Sequence, residues 1–390
     1  MDFRLAPEEK LILETVRGFV EAELMPLEAE LQEAEIAGRG GDFPTWDHTR
    51  ALQAKARELG LWGLQTPEEY GGLALGARMT ALATMELFRC FVPFAFGGQA
   101  DNILFEGTEE QKREYLVPTL EGERRSCFAL TEPTAGSDAG AIRMTAVRDG
   151  ADYVLTGEKV FITGGNDADF AITFAVTDPQ RRARGGITAF LVDRGMGFTS
   201  RPIPTMGSWG PARLSFQGVR VPARNVLGEV GRGFELALRW IVNGRVIIPA
   251  RAVGRAQRLL ELGVAYARQR SAFGRPIGDY QAIQWMLADS EVELQATRWL
   301  SLHAASLQDE GRDARHEASI AKLQGAQMVG RVADRVLQIH GGMGYTKELP
   351  VERVYRDVRV FRIYEGTDEI QRRTIARGLL RGTAGLGRWD

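Results

Sequence analysis

The chain has 390 residues, 44% of them hydrophobic and 26% charged, which suits two or three packed domains with a well-buried core. Its 49 Lys and Arg residues nearly balance 51 Asp and Glu residues, and the net charge of -2 gives no electrostatic basis for binding nucleic acid or an anionic membrane. No apolar run approaches the roughly 18 residues that a membrane helix needs, so no membrane span is predicted.

A few residues bear on the compartment and on metal content. The N-terminus at Met1 opens directly into an amphipathic pattern, with neither a signal peptide nor a transit peptide visible. Cys90 and Cys127 are the two cysteines, a usage that fits a reducing compartment. Neither stands at a metal-ligand spacing, and the chain has four His. We therefore expect no metal, and a location in the cytoplasm or, in a eukaryote, in the mitochondrial matrix.

The first third of the chain has the pattern of helices. Pro7 stands where the first residue of a helix belongs, and Val16 and Phe19 continue one apolar face after it. The sequence TEEQ at 108–111 is a capping box that opens a further helix. Between them, the sequence ADN at 100–102 interrupts an apolar region, either as the wall of a cavity or as a helix end. We assign residues 1–122 to an N-terminal all-helical domain.

Near residue 123 the hydrophobic period changes from helical to strand-like. Asp149 and Gly150 form a turn signal between two such segments, which predicts a hairpin. The strand-like segments, separated by short turns, are 126–130, 153–155, 170–176, 187–192 and 219–221. Residues 123–229 are therefore predicted to form a compact antiparallel β domain.

After Gly233 the pattern is helical again. The long segments with helical periodicity are 234–268, 280–308, 317–339 and 369–380. Before the last of them, residues 354–363 alternate between charged and apolar side chains. Long helices with short connections predict a bundle, so we assign residues 230–390 to a C-terminal four-helix bundle domain. The fold class is thus an α+β multidomain chain: helical domain, antiparallel β domain, helical bundle.

Four loops suit a large flat ligand, although each also has a plain structural explanation. TEPTAGSD at 131–138 offers backbone N–H groups and hydroxyls to an anionic or carbonyl-rich ligand, or is an ordinary turn-rich loop. GEKVFITGG at 157–165 places Phe161 and Thr163 on one face of a strand, where they either stack on a heterocycle or pack a core. RSAFGRP at 270–276 is a phosphate and ring-edge contact or an inter-helix turn. QIHGGMGY at 338–345 ends a helix with three glycines, where a C-cap needs one.

A single carboxylate stands out in IYEGTDEI, residues 363–370. Thr367 is placed to cap a helix with acidic residues in its first turn, and Gly366 permits a positive φ or the close approach of a ligand. Glu365 is thereby a candidate catalytic base on a turn, the alternative being a solvated Glu at a helix start. The sequence contains no Rossmann fingerprint, P-loop, nucleophile elbow, HExxH or CxxC. The pattern favours one carboxylate base, no metal and a large flat cofactor.

Taken in order, these motifs resemble the acyl-CoA dehydrogenases, which are FAD-dependent enzymes. The matching segments are LTEP at 130–133 with GSD at 136–138, GEKVFIT at 157–163, Arg270 with FG at 273–274, Gln338 with GG at 341–342, and YEGT at 364–367. The resemblance covers essentially the whole chain and implies the same three-domain order. It also implies FAD as the cofactor and a homotetramer, a dimer of dimers in which each FAD bridges two subunits.

The resemblance further implies residue roles. It makes Glu365 the base and places Ser137, Arg245 and Gly366 at the acyl-CoA substrate. The residues implied for the cofactor line the flavin ring or hold the pyrophosphate and adenine, partly across a dimer interface: Phe128, Leu130, Thr131, Ser137, Phe161, Ile162, Thr163, Arg270, Phe273, Gln281, Gln338, Gly341, Gly342, Thr367 and Glu369.

Three positions depart from common family patterns. Phe161 stands where many members have Trp, and both rings stack. Val242 stands where several members have an acidic residue that contacts the adenine end of CoA, so part of that contact is expected to be absent. Gly244 stands where some branched- or long-chain members carry the base, which leaves Glu365 as the candidate. A Glu base also argues against the nitroalkane-oxidising relatives, which use Asp.

The implied reaction is α,β-dehydrogenation of an acyl-CoA to the trans-2-enoyl-CoA, in fatty acid or amino acid catabolism, with electrons passed to an electron-transferring flavoprotein. Burial is expected to raise the pKa of Glu365 and make it a better base. Two alternatives on the same fold stay open. One is an acyl-CoA oxidase or flavin monooxygenase, which oxygen consumption would reveal; the other is a non-catalytic binding relative, whose flavin acyl-CoA would not bleach.

Overall fold

The computed structural model describes residues 4–208 and 210–384, so Met1, on which the expected absence of a signal peptide rests, lies outside the described residues. The N-terminal part is helical, with α1 Pro7–Phe19, α2 Glu28–Ile36, α3 Trp46–Glu58, α4 Ala77–Leu87, α5 Glu109–Gln111 and α6 Val117–Glu121. Pro7 begins α1 as predicted. The capping box is also confirmed, because the Thr108 hydroxyl accepts from the Gln111 N–H at 3.2 Å and the Gln111 amide oxygen accepts from the Thr108 N–H at 3.0 Å.

Residues 126–227 form one sheet of eight strands: β1 Ser126–Ala129, β2 Thr145–Asp149, β3 Asp152–Ile162, β4 Phe170–Val176, β5 Ile187–Asp193, β6 Thr199–Pro202, β7 Ala212–Pro222 and β8 Val226–Leu227. The hairpin at Gly150 is confirmed, since Asp149 pairs with Asp152 across a two-residue turn. Gly150 has a φ of 63°, a conformation that such turns require.

The sheet is mixed, which corrects the expectation of a purely antiparallel domain. β4 pairs in parallel with β1 and, at its end, with β2, while its other neighbour β5 is antiparallel. The chain between β1 and β4 is long enough to return and enter the sheet in the same direction, as a parallel pair requires. Strand periodicity alone carries no information on this direction.

The helices of the C-terminal part are α7 Gly233–Gln269, α8 Gln281–Asp309, α9 Arg315–His340, α10 Val351–Val358 and α11 Asp368–Leu380. A small hairpin of β9 (Ser271–Ala272) and β10 (Arg275–Pro276) joins α7 to α8. The four long helices were predicted to within two residues at each end. The alternation in residues 354–363 corresponds to α10 and a following 3-10 turn, because Val354, Val358 and Phe361 recur at helical spacing and face the core.

Helix α7 connects the β domain to the bundle. Its first residues, including Leu236 and Ala237, belong to the core under the sheet, while Val246 and Val253 belong to the core between the helices. α4 lies directly against α7 at Gly254, where a Cβ would come within 2.3 Å of the Met85 carbonyl oxygen. One continuous helix therefore runs from the sheet, past the N-terminal helices, to the far end of the bundle.

Candidate active site

Glu365 lies on a strained turn between the 3-10 turn after α10 and helix α11. Its φ is +53° and that of Gly366 is +88°, and a non-glycine residue with a positive φ is uncommon and costs about 1–3 kcal/mol. Thr367 caps α11 as predicted, since its hydroxyl accepts from the Ile370 N–H at 3.3 Å. The strain persists because neighbouring helices fix the turn.

Two buried polar side chains hold this turn. Gln371 donates from its amide nitrogen to the carbonyl oxygens of Glu365 and Gly366 at 2.9 and 3.0 Å. Lys322 on α9 donates to the Gly366 carbonyl oxygen at 2.6 Å. Both side chains are fully buried. They fix the backbone on which the carboxylate stands.

Sequence reasoning missed both residues, although Lys322 carried a signal. It lies on the apolar face of α9, four residues after Ala318 and seven before Val329, and both of these are fully buried. A Lys at such a position is normally fully buried only with a partner. Its pKa is lowered to about 8, chiefly by burial.

The carboxylate of Glu365 faces Gly244 on α7. A Cβ at Gly244 would lie 2.7 Å from the Glu365 Oε2, so a larger residue there would displace the carboxylate. The residue as a whole is half-buried, but this Oε2 atom is buried and, among the described residues, has no hydrogen-bond partner. Burial raises the pKa of Glu365 to about 7, against the opposing effect of Arg251, Arg245 and Lys322. A carboxyl group that titrates near neutral pH and lacks a partner is suited to take a proton.

The structure brings two of the predicted substrate residues, Arg245 and Gly366, to the same place. A Cβ at Gly366 would lie 3.5 Å from the Arg245 Nη2. The Arg245 Nε is buried and has no hydrogen-bond partner among the described residues, and burial lowers the pKa of its guanidinium. Arg245 thus keeps donors available beside the turn that carries the base.

The next acidic residue, Asp368, has a structural role. It is buried, and its Oδ2 atom accepts from Arg362 at 2.8 Å and from Gln327 at 3.1 Å. Glu369 is exposed on the first turn of α11, and hydrogen bonds to its own N–H and to Thr367 lower its pKa. Burial raises the pKa of Glu365 whereas hydrogen bonds lower that of Glu369, so Glu365 is the better candidate base of the two.

A buried ion pair fixes the loop after β1. Lys159 on β3 is fully buried and donates to the Glu132 carboxylate at 2.8 Å and to the Leu130 carbonyl oxygen at 2.9 Å. Glu132 also accepts from the backbone N–H groups of Arg143 and Met144 at 2.6 and 3.0 Å. Thr131 is thereby held at a fixed position between the two anchored residues.

Replacing Lys159 with Met should destabilise the protein by about 3–5 kcal/mol, because it leaves the buried Glu132 carboxylate without a counter-ion. The control is Arg220→Met on the same sheet, which breaks an exposed pair with Asp149 and Asp152 and should cost less than about 1 kcal/mol. Chemical denaturation of both variants measures the difference. Equal small losses would mean that the buried pair contributes no more than a surface pair.

Phe128 on β1 stacks against Trp240 on α7, with ring centroids 3.9 Å apart and an interplanar angle of 6°. The Trp240 indole N–H donates to Asp101 at 2.6 Å, and the other oxygen of Asp101 accepts from Ser126 at 2.6 Å. These contacts join the N-terminal domain, the sheet and α7 beside the predicted flavin position. Sequence analysis missed Trp240, and no local pattern marks it.

The loop at residues 100–102 forms the wall of a cavity, one of the two readings that its sequence allowed. Ala100 and Asn102 line a cavity of about 340 Å³ together with Arg239 and Val242 of α7. The loop therefore lies next to the helix that carries Gly244.

The predicted cofactor residues fall into two groups, and the first group lies in the β domain. Phe161 is 64% exposed with a φ of +60°, and Thr163 and Ser137 are also exposed. By contrast, the Ile162 side chain is packed into the core of the β domain. Ile162 can therefore contact a ligand through its backbone alone, whereas Phe161 presents an uncovered ring face.

The second group of predicted cofactor residues lies at the far end of the bundle. Arg270, Phe273 and Gln281 surround the β9–β10 hairpin, and the Phe273 ring is 97% exposed. Tyr266, near the end of α7, stacks on His340 at 4.3 Å, which brings Gln338, Gly341 and Gly342 to the same end. The predicted residues of this group are all exposed, and neither glycine has an atom within 4 Å of where a Cβ would stand.

The two groups are far apart within one chain. Trp240 stacks on Phe128, a predicted flavin contact, and Gln269 is the last residue of α7, so about 44 Å separates them along the helix at 1.5 Å per residue. This distance exceeds the length of an extended flavin dinucleotide. If the flavin ring lies beside Trp240, one FAD cannot reach the hairpin that follows Gln269 of the same chain.

The residues present fit FAD when the second group comes from another subunit. An anchored loop and an open aromatic face suit the flat ring, and an open glycine cluster with an Arg suits the pyrophosphate and adenine. Among the described residues, no helix has the length and apolarity to cross a membrane, and no cluster of His, Cys, Asp and Glu could hold a metal ion. Fold and site define a flavin-dependent oxidoreductase.

The chain belongs to the acyl-CoA dehydrogenase family. Family models for the N-terminal, middle and C-terminal acyl-CoA dehydrogenase domains match residues 6–123, 127–219 and 231–380. The family relation establishes the fold class and FAD as the cofactor.

Several relatives cover nearly the whole chain. A probable acyl-CoA dehydrogenase, YngJ, of Bacillus subtilis (strain 168) is 40% identical over 98% of this chain and 100% of its own length. Butyryl-CoA dehydrogenase from Megasphaera elsdenii is 34% identical with a TM-score of 0.86, covering 98% of this chain and 100% of that one. A chain from the structure of the electron transferring flavoprotein of Acidaminococcus fermentans is 37% identical with a TM-score of 0.87, covering 98% and 100%.

Proposed function

We propose that this protein oxidises an acyl-CoA to the trans-2-enoyl-CoA, with Glu365 as the catalytic base. The observation that carries the proposal is the Glu365 carboxylate itself: it lies against Gly244, its Oε2 is buried without a hydrogen-bond partner among the described residues, and its pKa is raised to about 7. The relatives named acyl-CoA dehydrogenase and butyryl-CoA dehydrogenase support the same reaction.

In this proposal, Glu365 removes the α-proton of the thioester, and its carboxylate becomes a neutral acid that burial favours. The backbone N–H of Glu365 donates to the thioester carbonyl and stabilises the developing enolate. Lys322 and Gln371 keep that turn in position, and Arg245 and Ser137 bind the CoA thioester. Bound FAD supplies the acceptor for the hydride that leaves the β-carbon.

The dependence of kcat/KM on pH should follow the carboxyl group of Glu365. Because only the deprotonated form accepts a proton, kcat/KM should rise about tenfold per pH unit below a pKa of about 7 and level off above it. Steady-state rates between pH 5 and pH 9 measure this. A profile that is flat from pH 5 to pH 8 would contradict a base with a raised pKa.

Anaerobic bleaching of the flavin by acyl-CoA tests the proposed function. A panel of straight, branched, aromatic and dicarboxylic acyl-CoAs should contain at least one that bleaches it. We propose an electron-transferring flavoprotein as the acceptor, as the structural relative from Acidaminococcus fermentans suggests. Rapid oxygen consumption with acyl-CoA would instead indicate an oxidase, and a flavin that no acyl-CoA bleaches would indicate a non-catalytic relative.

Arg270→Ala should weaken FAD retention with little effect on the folding of the protomer. The Arg270 side chain is exposed at the end of α7, and its guanidinium has the geometry to bind a pyrophosphate. Gel filtration followed by the flavin-to-protein absorbance ratio measures retention. The control is Arg268→Ala, another exposed Arg two residues earlier. Full flavin content after dilution would show that Arg270 is a solvated loop charge.

We also propose a homotetramer, a dimer of dimers in which each FAD bridges two subunits. The separation of the two FAD-binding groups along α7 supports the dimer. Helix α8 offers apolar surface for assembly: Trp285 is 60% exposed and Val292, seven residues later on the same face, is 68% exposed. Domain limits at 1–122, 123–229 and 230–390 and a cytoplasmic or mitochondrial-matrix location complete the proposal.

A further inference from the structure

The base Glu365 lies within a cluster of positive charge. The positive charges of Arg251, Arg245 and Lys322 all lower the pKa of its carboxyl group. Lys322 also interacts electrostatically with Asp368 and Glu369. Asp368 is already bonded to Arg362, and Glu369 is exposed. Three cations therefore share one carboxyl group that is half protonated near neutral pH. Buried charge without a counter-ion is costly, so the cluster favours an anionic ligand.

Of the three cations, Arg251 is the one that neither holds the turn nor is assigned to the CoA thioester. Its guanidinium lies 5.1 Å from the centroid of the Phe88 ring and within hydrogen-bonding reach of the Tyr364 hydroxyl. Among the described residues, its Nε is buried without a hydrogen-bond partner, and no carboxylate forms an ion pair with it. Lys322, by comparison, holds the Gly366 carbonyl oxygen, and Arg245 is assigned to the CoA thioester.

The next Arg along the same helix has partners that Arg251 lacks. Arg255 also lies over Phe88, at 5.1 Å, but it donates to the Cys90 carbonyl oxygen and has Asp357 and Glu28, besides the cation Arg353, as charged neighbours. Arg251 has a neutral Tyr364 instead, since burial raises the pKa of that hydroxyl to about 12. The difference lies in the partners, because both Arg residues contact the same aromatic ring.

Arg251 lies on the same face of α7 as the residue that contacts the base. Gly244, which faces the Glu365 carboxylate, is seven residues before it, so the two positions differ by about 20° around the helix and by about 10 Å along it. Tyr364 directly precedes the base, and Arg251 reaches its hydroxyl. An acyl chain whose α-carbon is at Glu365 can thus extend along α7 toward Arg251.

We propose that Arg251 is a specificity-determining residue that binds a carboxylate at the far end of the acyl chain, so that the substrate is a short ω-carboxyacyl-CoA. The proposal rests on the proposed dehydrogenase function and names its substrate class. The free Nε–H and the remaining guanidinium N–H groups can form a bidentate pair of hydrogen bonds with a carboxylate. A chain ending in a methyl group would leave Arg251 to share the single carboxyl group of Glu365 with Arg245 and Lys322.

The test compares matched pairs of substrates on the FAD-loaded enzyme: succinyl- with butyryl-CoA, glutaryl- with pentanoyl-CoA, and adipyl- with hexanoyl-CoA. In at least one pair, kcat/KM for the carboxyl-terminated member should exceed that of its partner by about tenfold or more. Arg251→Met keeps much of the length of the side chain and removes its charge, and it should abolish that preference. Arg245→Met should lower both members of each pair in parallel.

Two further readouts separate recognition from a general electrostatic effect. Arg251 lowers the pKa of Glu365, so Arg251→Met should shift the pH profile to higher pH equally for both members of a pair. An equal shift cannot account for the loss of the preference, which therefore reports recognition of the terminal carboxylate. Calorimetric titration with alkyl-CoA thioethers, which lack the carbonyl group and cannot be dehydrogenated, measures binding apart from turnover. The thioether with a terminal carboxylate should lose about tenfold or more in affinity in the variant, and the one with a methyl terminus should not.

A wild-type preference for the methyl-terminated member of every pair, or a parallel loss for both members in Arg251→Met, would overturn the role of Arg251 while leaving the dehydrogenase intact. Failure of every acyl-CoA to bleach the flavin, in both series and in the wider panel of branched and aromatic thioesters, is a different result, which would overturn the proposed function and this inference with it.

Discussion

Glu365→Gln should lower the rate of flavin reduction by acyl-CoA by about 10⁴-fold, the upper end of what a positioned base contributes. Gln has nearly the same shape, so the contact with Gly244 and the turn held by Lys322 and Gln371 should be kept. FAD binding should be close to that of the wild type. Stopped-flow absorbance under anaerobic conditions measures the rate, and the flavin-to-protein ratio measures cofactor content.

The control for this experiment is Glu310→Gln, which makes the same substitution at an exposed position after α8 and should reduce at the wild-type rate. The expected effect is large because neither neighbouring carboxylate is placed to replace Glu365 as the base. Asp368 is hydrogen-bonded to Arg362 and Gln327, and Glu369 is exposed. Rapid bleaching of the Glu365→Gln flavin would remove Glu365 from the mechanism.

Most of the helices could be predicted from the sequence because their signals are local. Pro7 begins α1, Thr108 and Thr367 cap helices, and long apolar stripes define α7, α8 and α9. The parallel pairing of β1 with β4 is different, since it depends on how the chain returns to the sheet and not on the pattern of either strand.

The position of the candidate base was also a local signal, because Glu365 stands beside Gly366 and directly before a capped helix. The surroundings of Glu365 could not be predicted from a local signal. Lys322, Arg251 and Gly244 come from two other helices, and the raised pKa of Glu365 depends on how those helices bury it. Trp240 likewise acquires its role through a contact with the β1 strand, more than 100 residues away in the sequence. Such contacts depend on tertiary packing, which periodicity does not encode.

A mixed dimer of Glu365→Gln and Arg270→Ala chains should regain activity that neither variant has alone. In the proposed dimer, each FAD takes Glu365 and the Thr131 loop from one subunit and the hairpin at Arg270 from the other. The Arg270→Ala chain then contributes an intact Glu365, and the Glu365→Gln chain contributes an intact Arg270. One of the two sites is therefore restored to the wild-type set of residues, while the other carries both substitutions.

The physical basis is the length of α7, which places about 44 Å between Trp240 and the end of the helix at Gln269. Co-expression with two affinity tags and sequential purification yields the mixed species, and flavin content and bleaching by acyl-CoA are then measured at limiting FAD. Two differently tagged Glu365→Gln chains, purified in the same way, are the control and should stay inactive. If both residues served the same FAD within one chain, every site of the mixed dimer would carry a substitution. Activity no higher than that of the separate variants would thus contradict the shared site and the assignment of Arg270 to it.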